Sequence, residues 1–394
     1  MANTARPKRK ADPATLSFTT RVRDLVHGFV YLTELEERII GHPLFQRLRH
    51  VRQNDVASYV YPSLNTSRFE HALGCATVAG KMAASLRRSP QWDDYQSALG
   101  IEAQFEQTCR LYALLHDVGH LPLSHLFEMA FDHYAATLSP AIPLMALCEQ
   151  WFGVSGFTKL HEASGSAITR AILEDVPPPA PIRDAILRLM SVKRLDVADP
   201  LRPVKLLVDS EIDADRIDFT KRDGLLAGGE YGTYDIERLC SAVFLQRHDE
   251  DWRLAYSHKA LGSIEALLLD RCRSYTWIHF HHRIMALKLA ARFVIESMLR
   301  EGTISKADFP TGDVRTMALR DDVWLLNLIR TWTPRDGDTA ALGGQPVQLS
   351  CTVRSRESTF SGRIGPRITS CGAVWRTQHR SAGSISLDTA TRHV

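Results

Sequence analysis

The chain has 394 residues, 44% hydrophobic and 24% charged, with a formal net charge of +3. This is the composition of a soluble globular protein with one large core or two smaller ones, and the near-neutral charge excludes a global attraction to nucleic acid or membrane. Seven scattered cysteines with no CxxC pair argue for reduced thiols in a cytoplasmic protein, and no apolar run approaches the ~20 residues that span a bilayer.

Residues 1–16 (MANTARPKRKADPATL) read as a disordered basic tail whose ARPKRK could touch phosphates or serve as a nuclear address. VRDLVHGFVYLT, 22–33, is rich in β-branched and aromatic residues and predicts a strand or hairpin. From 34 the spacing turns helical, with a short break and a restart at Pro43. Helices are expected over 70–88, 105–120, 124–137, 162–174, 181–192, 203–221, 235–245, 259–300 (bending or breaking once) and 321–332. WRLAYSH, 252–258, reads as a short strand. The fold class is therefore mainly α, a multi-helix bundle with a small β-hairpin near the N-terminus. One domain is expected over 17–332. Residues 333–394 carry eight Arg, no Lys and no apolar periodicity, which predicts a divergent, poorly ordered tail. Translation outside an ancestral reading frame would explain that abrupt loss of pattern.

Four residues in three segments carry the chemistry: His71 in RFEHALG, His116-Asp117 in LLHDVGHLPLSH, and Asp215 in DSEIDADRIDF. Two imidazoles and two carboxylates suit Fe, Mn, Co or Zn, with Mg less natural. On a helix the adjacent pair would diverge by about 100° and still reach one ion. His71 and Asp215 would arrive from other helices, as in metal sites inside bundles. His120 would lie one helical turn after His116. His125 and Glu128 sit three apart, so a carboxylate could hold an imidazole as a general acid or base needs; the plainer reading is a helix start capped by Ser124 with Glu128 in solvent. Arg68, three before His71, places a cation beside the metal, suited to clamping phosphate. His161-Glu162 lacks the second His of a zincin motif. On the helix carrying Asp215, Asp218 and Arg222 share its face, while Arg216, Phe219 and Asp223 form the next stripe. That is either a salt-bridge network or a metal ligand flanked by a substrate-facing cation, ring and carboxylate. No Walker A, Rossmann or GxSxG sequence occurs, against kinase, dehydrogenase and α/β-hydrolase chemistry.

The ordered set VRDLVHGFV, FQRLR, RFEHALG, HDVGHLPLSH, HEASGSAI and DADRIDFTKRD resembles the HD superfamily of metal-dependent phosphohydrolases, closest to its dNTP triphosphohydrolase branch, over about residues 20–332. The resemblance implies an HD domain and hydrolysis of a dNTP to deoxynucleoside and inorganic triphosphate. It implies one divalent metal (Mn, Fe, Zn or Mg) on His71, His116, Asp117 and Asp215, with additional Mg bound to the triphosphate. It places Arg68, His120, His161 and Arg216 on the triphosphate, and His125, supported by Glu128, as acid/base. Gln53 and Asp223 occupy positions that read the sugar 3′-OH. Phe219 stands where many members carry Tyr against the sugar, and Asn54 where Leu is common, which loosens the expectation of strict 2′-deoxy selection. Tyr275, His279, Phe280 and His282 would line the base pocket. A homo-oligomer follows from the same resemblance, as does a nucleotide effector site matched by Asp24, His27, Arg49 and Arg283, with Gly41 replacing an acidic residue used for guanine. Two other functions fit the residues: an HD phosphohydrolase or nuclease on another nucleotide or nucleic acid, and a nucleotide-sensing protein with little turnover.

Overall fold

The computed structural model describes residues 16–333 except 102, 103, 139, 141, 230 and 250. The tails expected over 1–16 and 333–394 fall outside these, apart from Leu16 and Thr333. The chain divides after Leu326, and the site lies wholly in the first unit. The elements are β1 (Phe18–Asp24), β2 (Gly28–Thr33), α1 (Glu34–Gly41), α2 (Pro43–Gln46), α3 (Arg68–Leu86), α4 (Trp92–Leu99), α5 (Phe105–Leu115), α6 (His125–Thr137), α7 (Leu144–Phe152), α8 (Leu160–Asp175), α9 (Ala180–Ser191), α10 (Arg202–Leu206), α11 (Ala214–Leu226), α12 (Ile236–Ala242), β3 (Val243–His248), β4 (Asp251–Tyr256), α13 (Leu261–Ser274), α14 (His282–Glu301), α15 (Val314–Ala318) and α16 (Asp322–Thr331). The fold is mainly α, with the expected hairpin at the start: β1 and β2 pair antiparallel from Asp24↔Gly28 outward.

α3 is the central helix, packed against α5, α11 and α12. Its small residues permit close approach. A Cβ at Gly74 would fall 1.8 Å from Asp218 Oδ1, so only glycine lets α11 lie this near. At the start of α1 a capping box joins Thr33 and Glu36. Glu36 is fully buried and takes Arg110 Nε at 2.7 Å and Gln107 Nε2 at 2.8 Å, which ties the hairpin and α1 to α5.

Several boundaries differ from the sequence expectation, each for a local reason. The 203–221 helix is interrupted between α10 and α11, because Asp213 accepts Arg216 N–H at 2.7 Å and starts a new helix as its N-cap. The 235–245 helix ends at Ala242: Val243, Phe244 and Leu245 enter β3 and pair with β4, the strand read at WRLAYSH. Their partners, Tyr256, Ala255 and Leu254, lie on another strand and are invisible to helical periodicity. The long 259–300 segment breaks once, through a π-helical turn at Tyr275–His279. The helices α4, α7 and α15 were not anticipated from the sequence pattern.

Candidate metal centre

Three helices bring the quartet together. A Ser67–Glu70 capping box starts α3 and sets His71, fully buried, on its first turn. α5 ends at Leu115 with His116 as C-cap, and Asp117 opens a turn. The expected helix through 120 is therefore wrong, and His120 is not one helical turn from His116. The cause is close packing: a Cβ at Gly119 would lie 2.1 Å from the His161 carbonyl oxygen and 2.2 Å from Gly165 N, so the HDVGH backbone leaves the helix to lie against α8. Arg47 of FQRLR, almost fully buried, fixes this turn by donating to the Val118 carbonyl at 2.9 Å. Asp215 sits on the first turn of α11.

The donor atoms converge. His71 Nε2 lies 2.9 Å from Asp215 Oδ1 and 3.6 Å from Asp117 Oδ2. His116 Nε2 lies 3.5 Å from Asp117 Oδ2 and 3.8 Å from Asp215 Oδ1. The Nδ1 of His116 donates to the Ala113 carbonyl at 2.7 Å, which leaves Nε2 as the lone-pair nitrogen; it is buried and has no hydrogen-bond partner. Burial pushes the Asp117 carboxyl up, but Arg68, His116 and His120 outweigh it and hold the group well below the usual range. Asp215 is likewise opposed by burial and held low by the nearby imidazoles of His116 and His71. Two anionic oxygens and two imidazole nitrogens, one of them an orphaned acceptor, fit a divalent transition metal. Cys75 Sγ, one helical turn beyond His71 and 3.4 Å from its Nε2, borders the same cluster. Its even spacing from both ring nitrogens, 3.6 Å to Nδ1, sets it beside the ring rather than in line with Nε2.

Behind His71 stands a carboxylate that the sequence offered only as a salt-bridge partner. Asp218, fully buried, takes His71 Nδ1 at 2.9 Å on Oδ2. Burial opposes its charge, but Arg222 and the hydrogen bonds from His27, His71 and Arg222 hold its carboxyl well below the usual range. This carboxylate–histidine arrangement orients metal-ligating imidazoles in general. The expected Asp218–Arg222 pair is present too, with Arg222 Nη2 2.8 Å from Oδ1.

A second group of imidazoles lies on the other side of Asp117. His120 Nε2 is 3.2 Å from Asp117 Oδ1, and its ring stacks on His161 at 4.4 Å. Burial, the Arg68 cation and His161 depress the His120 pKa well below its ordinary value, so this imidazole is neutral near pH 7. Glu128 holds both His161 Nδ1 at 3.0 Å and His125 Nδ1 at 3.2 Å. Burial pushes Glu128 up, yet these hydrogen bonds keep it strongly acidic. Glu128 is mostly buried rather than solvated, and Ser124 makes no side-chain cap. Instead Ser124 Oγ donates to the Arg52 carbonyl at 2.7 Å and accepts Arg68 Nε at 3.1 Å. Leu123 and Ser124 both have positive φ (58° and 50°), and the Asp322 carboxylate pins this strained turn by accepting Leu123 N–H at 2.7 Å. Arg68 also pairs with Asp117 and keeps a buried Nη2 without a partner.

A cavity of about 500 Å³ opens over these groups. Gln53, Arg68, His116, Asp117, His120, His125, His161, Asp215, Arg216, Phe219 and Asp223 all line it. His71 and Glu128 stand behind its wall. Arg216 is partly committed, pairing with Asp213 and the Ser210 carbonyl. Asp223 accepts Asn54 Nδ2 at 2.7 Å, and burial raises its carboxyl to about 7. Tyr275, His279 and Phe280 reach the cavity, whereas His282 is not in its lining. Lys159, Lys193, Lys205, Arg271 and Lys288 add cations that no motif in the sequence flagged, because they come from separate segments. Of the effector set, Asp24 and His27 turn inward to Arg222 and Asp218, and Arg49 lies over the Phe69 ring at 3.7 Å.

Residues 68–200 match the HD domain family. An uncharacterised protein of Methanocaldococcus jannaschii is 26% identical over 309 residues, 78% of this chain and 54% of its own length. The uncharacterised YwfO of Bacillus subtilis is 28% identical over 265 residues, 66% of this chain and 51% of its own. The human deoxynucleoside triphosphate triphosphohydrolase SAMHD1 is 25% identical over 304 residues, 73% of this chain and 45% of its own. The chain thus spans about half the length of the curated relatives it matches. A hypothetical protein of Aquifex aeolicus shares the fold, with TM-score 0.59 and 22% identity over 80% of this chain and 72% of that one. The chain thus carries an HD-domain match over residues 68–200 and is similar to deoxynucleoside triphosphate triphosphohydrolases.

Proposed function

We propose that the chain hydrolyses deoxynucleoside triphosphates to deoxynucleoside and inorganic triphosphate, with His71, His116, Asp117 and Asp215 holding one divalent metal. The single observation that carries this reading is the orphaned His116 Nε2, aimed with three further donor atoms at the head of a cavity lined by cations and imidazoles. The named activity of SAMHD1 is the source of the substrate class. When bound, the ion would supply Lewis-acid polarisation of a phosphoryl oxygen.

The chain's own residues divide the remaining work. Arg68, already desolvated and with Nη2 free of partners, would meet phosphate oxygen without a further desolvation cost. The stacked His120 and His161 rings would stand beside the same oxygens, and Arg216 would add charge from the α11 side. His125, on the exposed rim and held through Nδ1 by Glu128, keeps Nε2 free to give a proton to the leaving 5′-oxygen. Gln53, whose Oε1 is buried without a partner, and Asp223, whose Oδ2 is also unpartnered, would take the sugar hydroxyl, with Phe219 against the ring. The test is direct: purified protein, each dNTP, and Mn²⁺ or Mg²⁺, with products resolved by ion exchange. Inorganic triphosphate and deoxynucleoside in equal amounts are expected. Pyrophosphate with dNMP, or no turnover with any metal, would overturn the reading.

A further inference from the structure

The geometry points to His27, at the tip of the β1–β2 hairpin, as a positioning residue for the metal centre. It acts through Asp218 on the ligand His71, and so rests on the metal-centre reading above. Asp218 has two oxygens and four donors. Oδ1 takes His27 Nε2 at 2.7 Å and Arg222 Nη2 at 2.8 Å; Oδ2 takes His71 Nδ1 at 2.9 Å and Arg222 Nε at 2.9 Å. Every acceptor site of the carboxylate is thereby occupied, so its plane, and with it the bearing of the His71 ring, is fixed by three partners at once.

The hairpin is joined to this group at a second point. Arg222 Nη1 donates to Asp24 Oδ2 at 2.9 Å, while Asp24 Oδ1 accepts both Val26 N–H and His27 N–H at 2.8 Å. One carboxylate therefore shapes the turn that presents His27, and the same carboxylate grips the cation that holds Asp218. None of these side chains is accessible: His27 is 1% exposed and Asp218 and His71 are 0%. His27 and Asp218 are 191 residues apart in sequence, and Gly74 supplies the space in which they meet. A histidine that only filled the core would not need a charged acceptor. This one spends its Nε2 on the carboxylate behind a metal ligand.

Loss of His27 leaves Asp218 held by Arg222 alone on that oxygen, so the carboxylate can swing and His71 can tilt. Cobalt(II) titration of the full chain, against a chelating indicator and by visible ligand-field absorption, tests this. His27→Ala and His27→Asn, the latter too short to reach Asp218, should lower cobalt affinity by about 10–100-fold, the usual cost of losing such a partner, and alter the absorption band. His27→Gln, whose amide N–H can occupy the position of Nε2, should recover most of both. Wild-type affinity and spectrum in His27→Ala or His27→Asn would overturn the inference. Equal weakening in all three variants, tracking a loss of metal-free thermal stability, would also overturn it and leave packing as the cause. His116→Ala is the control for the underlying reading. If it binds cobalt as wild type does, the metal-centre reading fails and takes this inference with it; if it loses cobalt while the His27 variants do not, only this inference fails.

Discussion

Two histidine groups flank Asp117, and they are built for different work. His71 and His116 have their Nδ1 atoms occupied from behind, by the Asp218 carboxylate and the Ala113 carbonyl, so both turn Nε2 to a common point. They are deep in the protein and anchored on α3 and at the end of α5. His125 and His161 share one acceptor, Glu128, at the rim of the cavity, and the His125 side chain is 59% exposed. Anchoring by separate, buried acceptors yields converging lone pairs, which is what a metal requires. Holding two imidazoles through their Nδ1 atoms on one carboxylate leaves both Nε2 atoms for other partners, the arrangement that the proposed acid/base role uses. Under the proposed function, residue type does not assign the role of a histidine; the partner of its other nitrogen does.

The sharpest break of this contrast comes from the metal end. His116→Ala with Asp117→Ala should reduce bound metal, measured by elemental analysis, to background and abolish turnover. Full metal content in that double variant would refute the ligand assignment. At the rim, His125→Gln should lower kcat by about 10²–10⁴-fold while leaving metal content at wild-type level. Loss of metal there would erase the distinction between the two groups.

Proton competition separates them next. Burial opposes charge on His71, but Cys75, Asp215 and Asp218 together raise its pKa well above the ordinary 6.5; His116 is raised too, burial being outweighed by Asp117 and Asp215. In the metal-free protein these raised values contribute stability that is fully present below the unfolded value and lost as pH rises through the folded one. A metal must displace the same protons, so its affinity should climb with pH across and above 6.5, by about tenfold per unit for each proton displaced. Titration of metal affinity from pH 6 to 8 measures the slope; a flat profile contradicts the assignment. The rim contributes nothing of the kind through His120, which is already neutral there. The smallest effect is expected from Gly74→Ala. The added methyl has to push Asp218 away, at a cost of about 1–3 kcal/mol in overpacking, read as a lower Tm together with weaker metal binding.

Much of this was legible in the sequence. The helical periodicity and the hairpin gave the fold class, because alternation and 3.6-residue spacing are local properties. The candidate ligands were legible as a set because a metal needs particular side chains in short segments, and the three segments that carry the four of them converge. What failed, failed at contacts. The 105–120 helix was cut at Leu115 by the approach of α8 to Gly119, and the 235–245 helix gave way to β3 through pairing with β4. Ser124 looked like a cap and instead joins Arg52 to Arg68 in a strained turn.

By itself, then, the sequence determined that a helical chain carries two imidazoles and two carboxylates able to hold a metal, with an Arg and further imidazoles beside them. Only the tertiary structure decided which nitrogen of each histidine is spent on the protein and which is left to face the cavity. It also decided that Asp218 stands behind His71, that His27 reaches it from 191 residues earlier in the chain, and that Asp223 loses its easy ionisation through burial. These are matters of hydrogen-bond partners and desolvation, and both depend on residues 147 to 191 positions apart being brought within 3 Å, which no spacing along a chain encodes.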